Sequence, residues 1–427
     1  MTIAFLIGTL LLFLAMRMPV AVSLGLSSVL TLLLFGDQTL LSLAQRFSHA
    51  MEVYPLLAVP FFIVAATFMT SGGVARRLIV FANAVTGRVR GGLAMGSVLA
   101  CMLFAAISGS SPATVVAVGS ITIVGMVGAG YTREYATGVV TTAGTLGILV
   151  PPSIVMVVYG AITETSVGAL FIAGVVPGVL LTIVMMTAIF VLSRRDDLPQ
   201  RSAASWREIL RAGRDASWGL LLIALVLGGI YGGIFTPTEA AAVSAVAAML
   251  IAVFVYRDIS PRQIPDVLVQ SARVTTMLMF IVANAYLFAF VLTTEQIPQS
   301  IAAAALAMDV SPWAFLLLVN VILLIAGSLM DPTSVVLILA PIIFPLAIGL
   351  GIDPVHLGVI MVVNMEIGMV TPPIGLNLFV ASGVAGLPLT AVIRASLPWL
   401  ALLLAFLVLI TYVPVISLFL PNLMMGR

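Results

Sequence analysis

Long apolar blocks separated by short polar breaks follow one another along the chain. An α-helix needs about 20 consecutive apolar residues to cross a bilayer, and most of the blocks approach or exceed that length. The pattern predicts an all-α polytopic membrane protein with about ten transmembrane helices. The predicted spans lie near residues 2–16, 19–36, 55–72, 134–160, 166–192, 216–235, 238–256, 274–293, 356–382 and 394–420. Because 2–16 is short, residues 2–36 could form one span or two.

Two further apolar regions, 93–130 and 312–352, do not read as ordinary spans. Cytoplasmic loops carry an excess of basic residues, and the six arginines of 194–214 place that segment in the cytoplasm. If both regions are re-entrant hairpins that begin and end on one side, all eighteen arginines except Arg46 and Arg427 are cytoplasmic. Four arginines decide the first region, because a single crossing there would move them to the wrong face: Arg76, Arg77, Arg88 and Arg90.

The composition excludes ordinary soluble proteins. Of the 427 residues, 62% are hydrophobic and 8% are charged, against about 25% charged residues in soluble domains. The chain has no HExxH or GxSxG motif and no matched pair of intramembrane aspartates, so an intramembrane enzyme is not expected. No nucleic-acid partner is expected either. The arginine-rich segment reads as an interfacial helix against phospholipid headgroups or, alternatively, as a contact with a partner subunit.

Each predicted hairpin contains a polar tip with helix-capping residues. In the first, residues 107–114 read ISGSSPAT, where Ser111 can cap a helix and Pro112 can take its first position. In the second, Asp331 precedes Pro332 in the same arrangement. Backbone that turns back inside a membrane needs such partners, because an unpaired polar group there costs several kcal/mol.

A proline pair breaks a long apolar segment after each tip. The breaks lie in 144–153 and 368–377, and the interval from Pro112 to Pro152 equals that from Pro332 to Pro372. Equal spacing indicates an internal repeat, and a weaker match of 62–66 with 280–284 is in keeping with it. The arginine count gives the two hairpins opposite orientations. Inverted repeats with broken helices are typical of secondary transporters.

Broken helices expose groups that can bind ions. Carbonyl oxygens at the end of one half-helix suit a small cation, and free N–H groups at the start of the next suit an anion. Asp331 is either a helix cap or a functional intramembrane acid, and Glu366 is a second intramembrane acid. Thr236 and Glu239 read as a capping box, whereas His49 lies in no zinc motif.

The motifs resemble those of the large membrane subunit of tripartite ATP-independent periplasmic (TRAP) transporters, in the ion transporter superfamily. The resemblance covers almost the whole chain. It implies an elevator-type transporter of the bacterial inner membrane, a small four-helix membrane subunit as scaffold, and a periplasmic substrate-binding protein that delivers a small organic anion. It is carried by the runs SGSSPATVVAVG, GTLGILVPPSIVMVVYG, FTPTEAAAV, MDPTSVVLILAPIIFPL and GMVTPPIGLNLFVASG.

The resemblance also implies two sites for sodium as the coupling ion. One would lie between the first tip and the first break, and the other between the second tip and the second break. Substrate contacts are expected from polar groups that face the same cavity. The implied sodium ligands are Ser108, Ser110, Gly147, Val150 and Pro152 in the first site, and Gly327, Gly368, Thr371 and Ile374 in the second. The expected substrate contacts are Ser111, Ser153, Asp331 and Asn377.

Few titratable groups lie at the breaks, which favours sodium over protons, although Asp331 and Glu366 keep proton coupling open. A stand-alone sodium- or proton-coupled anion permease of the same superfamily is the alternative function. The expected organisation is N-terminal scaffold helices in 1–54, a first repeat in 55–193, an arginine-rich segment with scaffold helices in 194–273, and a second repeat in 274–427.

Overall fold

The computed structural model describes residues 2–35, 39–195, 205–296 and 311–426. Within these ranges every regular element is a helix, and ten helices are long and apolar enough to cross a membrane. The first half holds α1 (Thr2–Ala15), α2 (Val20–Phe35), α3 (Leu40–Ala50), α4 (Ala58–Ser71), α5 (Val74–Thr86), α6 (Gly92–Ser108), α7 (Ser111–Gly128), α8 (Arg133–Ala143), α9 (Leu146–Leu149), α10 (Ile154–Thr163) and α11 (Val167–Arg195).

The second half continues the all-helical architecture. A π-helix, Ile251–Val255, extends α13. The helices are α12 (Trp206–Tyr231), α13 (Pro237–Leu250), α14 (Ile264–Thr294), α15 (Pro312–Leu329), α16 (Pro332–Gly349), α17 (Pro354–Gly368), α18 (Leu376–Ala385), α19 (Leu389–Tyr412) and α20 (Val415–Met425). The predicted all-α fold is confirmed. Residues 196–204 of the arginine-rich segment and Arg427 lie outside the described ranges.

Both regions that were predicted to be hairpins fold as two helices joined by a two-residue turn. In the first, α6 and α7 pack against each other around Gly109 and Ser110. In the second, α15 and α16 pack around Met330 and Asp331. Gly109 has a φ of 58°, a left-handed conformation that glycine adopts without a steric penalty.

The cap of the first tip differs from the prediction. The helix α7 begins at Ser111 itself, so Ser110 takes the capping position and Pro112 the second helical position. Ser110 makes no side-chain cap, and the hydroxyl of Ser111 donates instead to the carbonyl oxygen of Gly144 at 2.8 Å. In the second tip Asp331 caps α16, as the sequence predicted.

The two proline pairs interrupt helices where the spacing predicted. In the first break, α9 ends at Leu149 and α10 begins at Ile154. In the second, α17 ends at Gly368 and α18 begins at Leu376. The peptide bonds Pro151–Pro152 and Pro372–Pro373 are both cis.

Two predictions of helix boundaries concern the N-terminal and C-terminal parts of the chain. Residues 2–35 form two separate helices, α1 and α2, which contact each other across a turn at Arg17 with a φ of 62°. The predicted span near 394–420 is present as α19, but its C-terminal boundary is wrong, because α19 ends at Tyr412 and α20 begins after Pro414. Proline has no N–H to continue a helix, and α20 packs instead against α11 and α17.

Arginine-bearing helix ends meet on one side of the fold. Ser193 donates to the carbonyl oxygen of Arg90 at 3.1 Å, and the guanidinium of Arg88 lies 5.9 Å from the ring of Trp206. Arg77 pairs with Asp258. This gathering of basic residues agrees with the predicted cytoplasmic face.

The predicted outer side is formed by other chain segments. The guanidinium of Arg46 lies 3.6 Å from the ring of Phe290, near the C-terminal end of α14. Tyr286 donates to the carbonyl oxygen of Ala161 at 3.0 Å. These contacts join the ends of α3, α10 and α14, which the arginine count placed on the outer side.

A buried polar network holds the first arm of the second hairpin. Asn364 donates to Asn320 at 2.8 Å, and Asn320 donates to Thr411 at 2.9 Å. His356 lies 2.7 Å from the hydroxyl of Ser417. The network connects α15, α17, α19 and α20, so it holds α15, the helix that leads to the second tip, against the helices around it.

Candidate functional site

The first tip lies directly against the first break. A methyl group on Gly147 would lie 2.6 Å from Cα of Ser111 and 2.7 Å from the carbonyl oxygen of Ser110. A methyl group on Gly109 would lie 2.8 Å from the carbonyl oxygen of Pro152. The backbone of the first tip therefore touches both the end of the helix before the break and the break itself.

The second tip makes the equivalent contact with the second break. A methyl group on Gly368 would lie 2.5 Å from the carbonyl carbon of Gly327 and 2.8 Å from its oxygen. Past the break, the N–H of Gly375 donates to the carbonyl oxygen of Ser328 at 3.2 Å. The matched spacing of 40 residues therefore corresponds to matched tip-to-break packing.

Oxygen atoms collect around the first contact. The hydroxyls of Ser108 and Thr114 lie 3.1 Å apart, and Thr114 donates to the carbonyl oxygen of Ser110 at 2.8 Å. All three residues belong to the tip. The sequence analysis missed Thr114, although its position four residues after Ser110 on one helix face could have indicated it. Of the other implied ligands, Gly147 lies against Ser110 and the carbonyl oxygen of Pro152 lies against Gly109, while the side chain of Val150 faces Gly178 on α11.

The second contact holds fewer hydroxyls. The hydroxyl of Thr371 donates to the carbonyl oxygen of Ile367 at 2.6 Å. Ile374 has an apolar side chain, so only its backbone oxygen is suited to hold a cation. Gly327 and Gly368 supply backbone alone. Any ion held here would be bound mainly by carbonyl groups.

One cavity of about 610 Å³ connects the two tips. Its wall includes Ser110 and Ser111 from the first tip and Asp331 and Thr333 from the second. The first residues of α7, α10, α16 and α18 all line it. Most of the remaining lining is apolar. The N-terminus of a helix carries a partial positive charge and free N–H groups, so the helix starts are the groups in this cavity that suit an anion.

The four starts are not equivalent. Ser153 caps α10 by accepting from the N–H of Met156 at 3.4 Å. Asp331 caps α16, and its two carboxylate oxygens accept from the N–H of Ser334 at 3.0 Å and from its hydroxyl at 2.5 Å. Neither α7 nor α18 has a side-chain cap. At the start of α18, however, the N–H groups of Asn377 and Leu378 already donate to the carbonyl oxygens of Met369 and Gly375. The start of α7 therefore has the stronger requirement for an external acceptor.

The expected substrate residues divide into two pairs. Ser111 and Asp331 line the cavity, whereas Ser153 and Asn377 do not. Ser111 is as fully buried as Ser153 and Asn377, because its hydroxyl is already hydrogen-bonded inside the protein. Asn377 donates to the hydroxyl of Ser111 at 2.7 Å and so joins α18 to α7. Its Oδ1 atom is buried without a hydrogen-bond partner among the described residues.

Glu366 lies behind the cavity rather than in its wall. Its side chain is 1% exposed, and Oε1 has no hydrogen-bond partner in the described part of the chain. The carboxyl faces the backbone N–H groups of Ile148 and Leu149 at the end of α9. Glu366 thus extends from the second broken helix to the first. By contrast, Glu239 forms the predicted capping box with Thr236.

Paired helical hairpins against paired broken helices, around a cavity lined by helix starts, define a membrane transporter. The chain belongs to the family described as "Tripartite ATP-independent periplasmic transporter, DctM component", whose sequence profile matches residues 7–416. It is a multi-pass protein of the bacterial inner membrane and not an enzyme. The family membership confirms the large subunit of a tripartite system rather than the stand-alone permease.

Similar proteins include two "C4-dicarboxylate TRAP transporter large permease protein DctM" sequences. The Pseudomonas aeruginosa protein is 62% identical over 94% of each chain. The Vibrio cholerae protein is 53% identical over 96% of this chain and 95% of its own. Among solved structures, the Alcanivorax borkumensis YdaH transporter matches with a TM-score of 0.64 at 16% identity, covering 87% of this chain and 86% of that one. At that identity the likeness shows the fold alone.

Proposed function

We propose that this subunit imports a C4-dicarboxylate in symport with sodium ions. The observation that carries the proposal is the convergence of four helix starts, two of them uncapped, on one cavity between the hairpin tips. The names of the two similar proteins above support the choice of a dicarboxylate.

The start of α7, which has no side-chain cap, would bind one carboxylate, and the N–H of Leu376 at the start of α18 would bind the other. Backbone N–H groups at a helix start hold anions without a charged side chain, and a dicarboxylate offers one carboxylate to each start. The hydrogen bond from Asn377 to Ser111 fixes the two starts relative to each other. The cavity of about 610 Å³ has room for the substrate and some water.

The opposite ends of the half-helices would bind sodium. The C-terminal ends of α6, α9, α15 and α17 bring partial negative charge and carbonyl oxygens to the two tip-to-break contacts. Sodium at these contacts would draw each tip onto its break and complete the anion site. The proposed ligands are Ser108, Ser110, Gly147, Val150 and Pro152, and Gly327, Gly368, Thr371 and Ile374.

The wall of the cavity formed by α2 and α14 would be the stationary part of an elevator-type transporter. Residues of two helices line the cavity opposite the tips: Pro19 and residues 20–22 at the start of α2, and Val274, Met277, Leu278, Phe280 and Ile281 of α14. The helices α2 and α14 are packed so closely that a methyl group on Gly25 would lie 2.8 Å from Cγ of Asn284. In the proposal, the tips and breaks move along this wall. A small membrane subunit braces the wall, and a periplasmic binding protein delivers the substrate.

The test is uptake of labelled succinate into proteoliposomes that contain this chain and its small subunit, with the binding protein outside. We expect uptake to require an inward sodium gradient and the binding protein. Uptake that follows a proton gradient without sodium would overturn sodium coupling, and failure to transport any C4-dicarboxylate would overturn the substrate.

Two substitutions test the ion sites. Ser110→Leu and Thr371→Leu should abolish sodium-dependent uptake while the protein still inserts in the membrane. The matched controls are Ser120→Leu, at an exposed position on α7, and Thr187→Leu, at a position on α11 outside both contacts. Normal uptake by the first pair would remove those two residues from the proposed sites.

A further inference from the structure

A second cavity, away from the tips, lies among the arginines of the cytoplasmic face. Its volume is about 830 Å³, and it lies between α5, α12 and the end of the π-helix after α13. Three of its lining residues are arginines, Arg76, Arg77 and Arg214, and one is acidic, Asp215. The transport site does not use any of them.

The walls of this cavity are held in place by contacts of their own. Arg77 pairs with Asp258, donates to the carbonyl oxygen of Gly73 at 3.0 Å and stacks 3.8 Å from the ring of Tyr256. The hydroxyl of Tyr256 donates to the carbonyl oxygen of Asp215 at 2.8 Å. The cavity is therefore preformed, and Arg77 belongs to its frame.

The remaining two arginines are differently placed. Arg76 and Arg214 are exposed, and neither forms an ion pair with a carboxylate of the described residues. Two guanidinium groups at one cavity, each with a planar set of N–H donors, suit a phosphate group. Arg77 already has its counter-charge in Asp258, so the attraction for an anion comes from Arg76 and Arg214, whose two positive charges exceed the single negative charge of Asp215 in the lining.

An exposed apolar surface begins at the edge of the cavity. The indole of Trp218 is 44% exposed, and the aromatic side chains of tryptophan and tyrosine favour the level of lipid headgroups. Towards the predicted bilayer centre, Leu221 and Leu225 on α12 and Leu250 on α13 present exposed side chains. A phosphate in the cavity would thus be followed by apolar surface along which acyl chains can lie.

We infer that this cavity binds the phosphate headgroup of an anionic phospholipid of the cytoplasmic leaflet. Arg76 and Arg214 bind the phosphate, and the exposed faces of α12 and α13 receive the acyl chains. The bound lipid would join α5, which carries Arg76, to α12, which carries Arg214. The inference does not depend on the identity of the coupling ion or of the substrate.

Native mass spectrometry of the detergent-purified chain, alone and with its small subunit, tests the inference. The probes are dioctanoyl phosphatidylglycerol, dioctanoyl phosphatidylcholine and inorganic phosphate. We expect phosphatidylglycerol to bind more tightly than phosphatidylcholine and to resist displacement by inorganic phosphate. Each basic residue near a membrane surface contributes about 1 kcal/mol to anionic lipid binding, so the affinity should fall about fivefold for each arginine replaced.

The variant is Arg76→Gln combined with Arg214→Gln, and the matched control is Arg262→Gln combined with Arg394→Gln. The control removes the same charge from exposed positions outside the cavity. An equal loss of affinity in both, or no preference for phosphatidylglycerol, would overturn the inference. Displacement by inorganic phosphate would assign the cavity to a soluble anion, and loss of lipid on adding the small subunit would assign it to that partner.

Discussion

Replacing Gly368 by alanine perturbs the contact between the second tip and its break with a single methyl group. That group would lie 2.5 Å from the carbonyl carbon of Gly327, whereas carbon atoms rest about 3.5–4.0 Å apart. The tip must therefore withdraw by about 1 Å, because the opposing atoms are backbone and cannot rotate away. Overpacking of this kind costs about 1–3 kcal/mol.

The cost should fall on the state in which the tip is closed on its ion. A free-energy change of about 1–3 kcal/mol corresponds to about a 5- to 150-fold change in an equilibrium constant. We therefore expect the sodium concentration for half-maximal succinate uptake to rise by a factor within that range. The assay is sodium titration of initial uptake rates in proteoliposomes at saturating substrate and binding protein.

The matched control is Gly383→Ala, on α18 beyond the same break. A methyl group at Gly383 would meet nothing within 4 Å, and alanine is a better helix former than glycine. The sodium dependence of this variant should equal that of the unmodified protein. If Gly368→Ala also left the sodium dependence unchanged, the contact between Gly327 and Gly368 would not be part of an ion site.

Substitutions at three further positions test other parts of the structure. Asp331→Asn should keep most of the uptake rate, since asparagine also caps helices, whereas Asp331→Ala should destabilise the tip by about 1 kcal/mol; equal uptake loss in both would instead give the charge a direct role. Asn320→Ala should lower the thermal unfolding temperature in detergent, because it leaves Asn364 without the acceptor that lies 2.8 Å away; an unchanged temperature would show that the network does not stabilise the hairpin. Glu366→Gln should unfold at a temperature no lower than the unmodified protein, because it removes an ionisable group that is 1% exposed; a lower temperature would indicate a bound counter-charge.

The local chemistry of the site could be predicted from the sequence. An aspartate followed by proline favours the start of a helix, as at Asp331 and Pro332, and a proline pair interrupts a helix because proline has no N–H to donate. Both features act over a few residues, and their equal spacing indicated the repeat. The predicted tips and breaks are therefore found where the pattern placed them.

Contacts between distant segments could not be predicted in the same way. Ser111 fits a capping position, yet its hydroxyl binds Gly144 and Asn377, the second of which is 266 residues away along the chain. Ser153 and Asn377 were expected in the cavity wall because they are polar and adjacent to the breaks. Both side chains instead form hydrogen bonds at helix starts: Ser153 accepts from the N–H of Met156, and Asn377 donates to Ser111. Buried polar groups are usually hydrogen-bonded within the protein, so these two are not free to contact a ligand.

The hydrogen bonds of Ser111 make the two halves of the chain unequal. Its hydroxyl donates to Gly144 beside the first break and accepts from Asn377 just after the second. Pulling the first tip away would break both buried bonds together, whereas the described contacts of the second tip with its break include one backbone bond, from Gly375 to Ser328. The first tip is thus held more firmly than the second, although the two halves are similar in design. We expect passage of the substrate to open the second tip first.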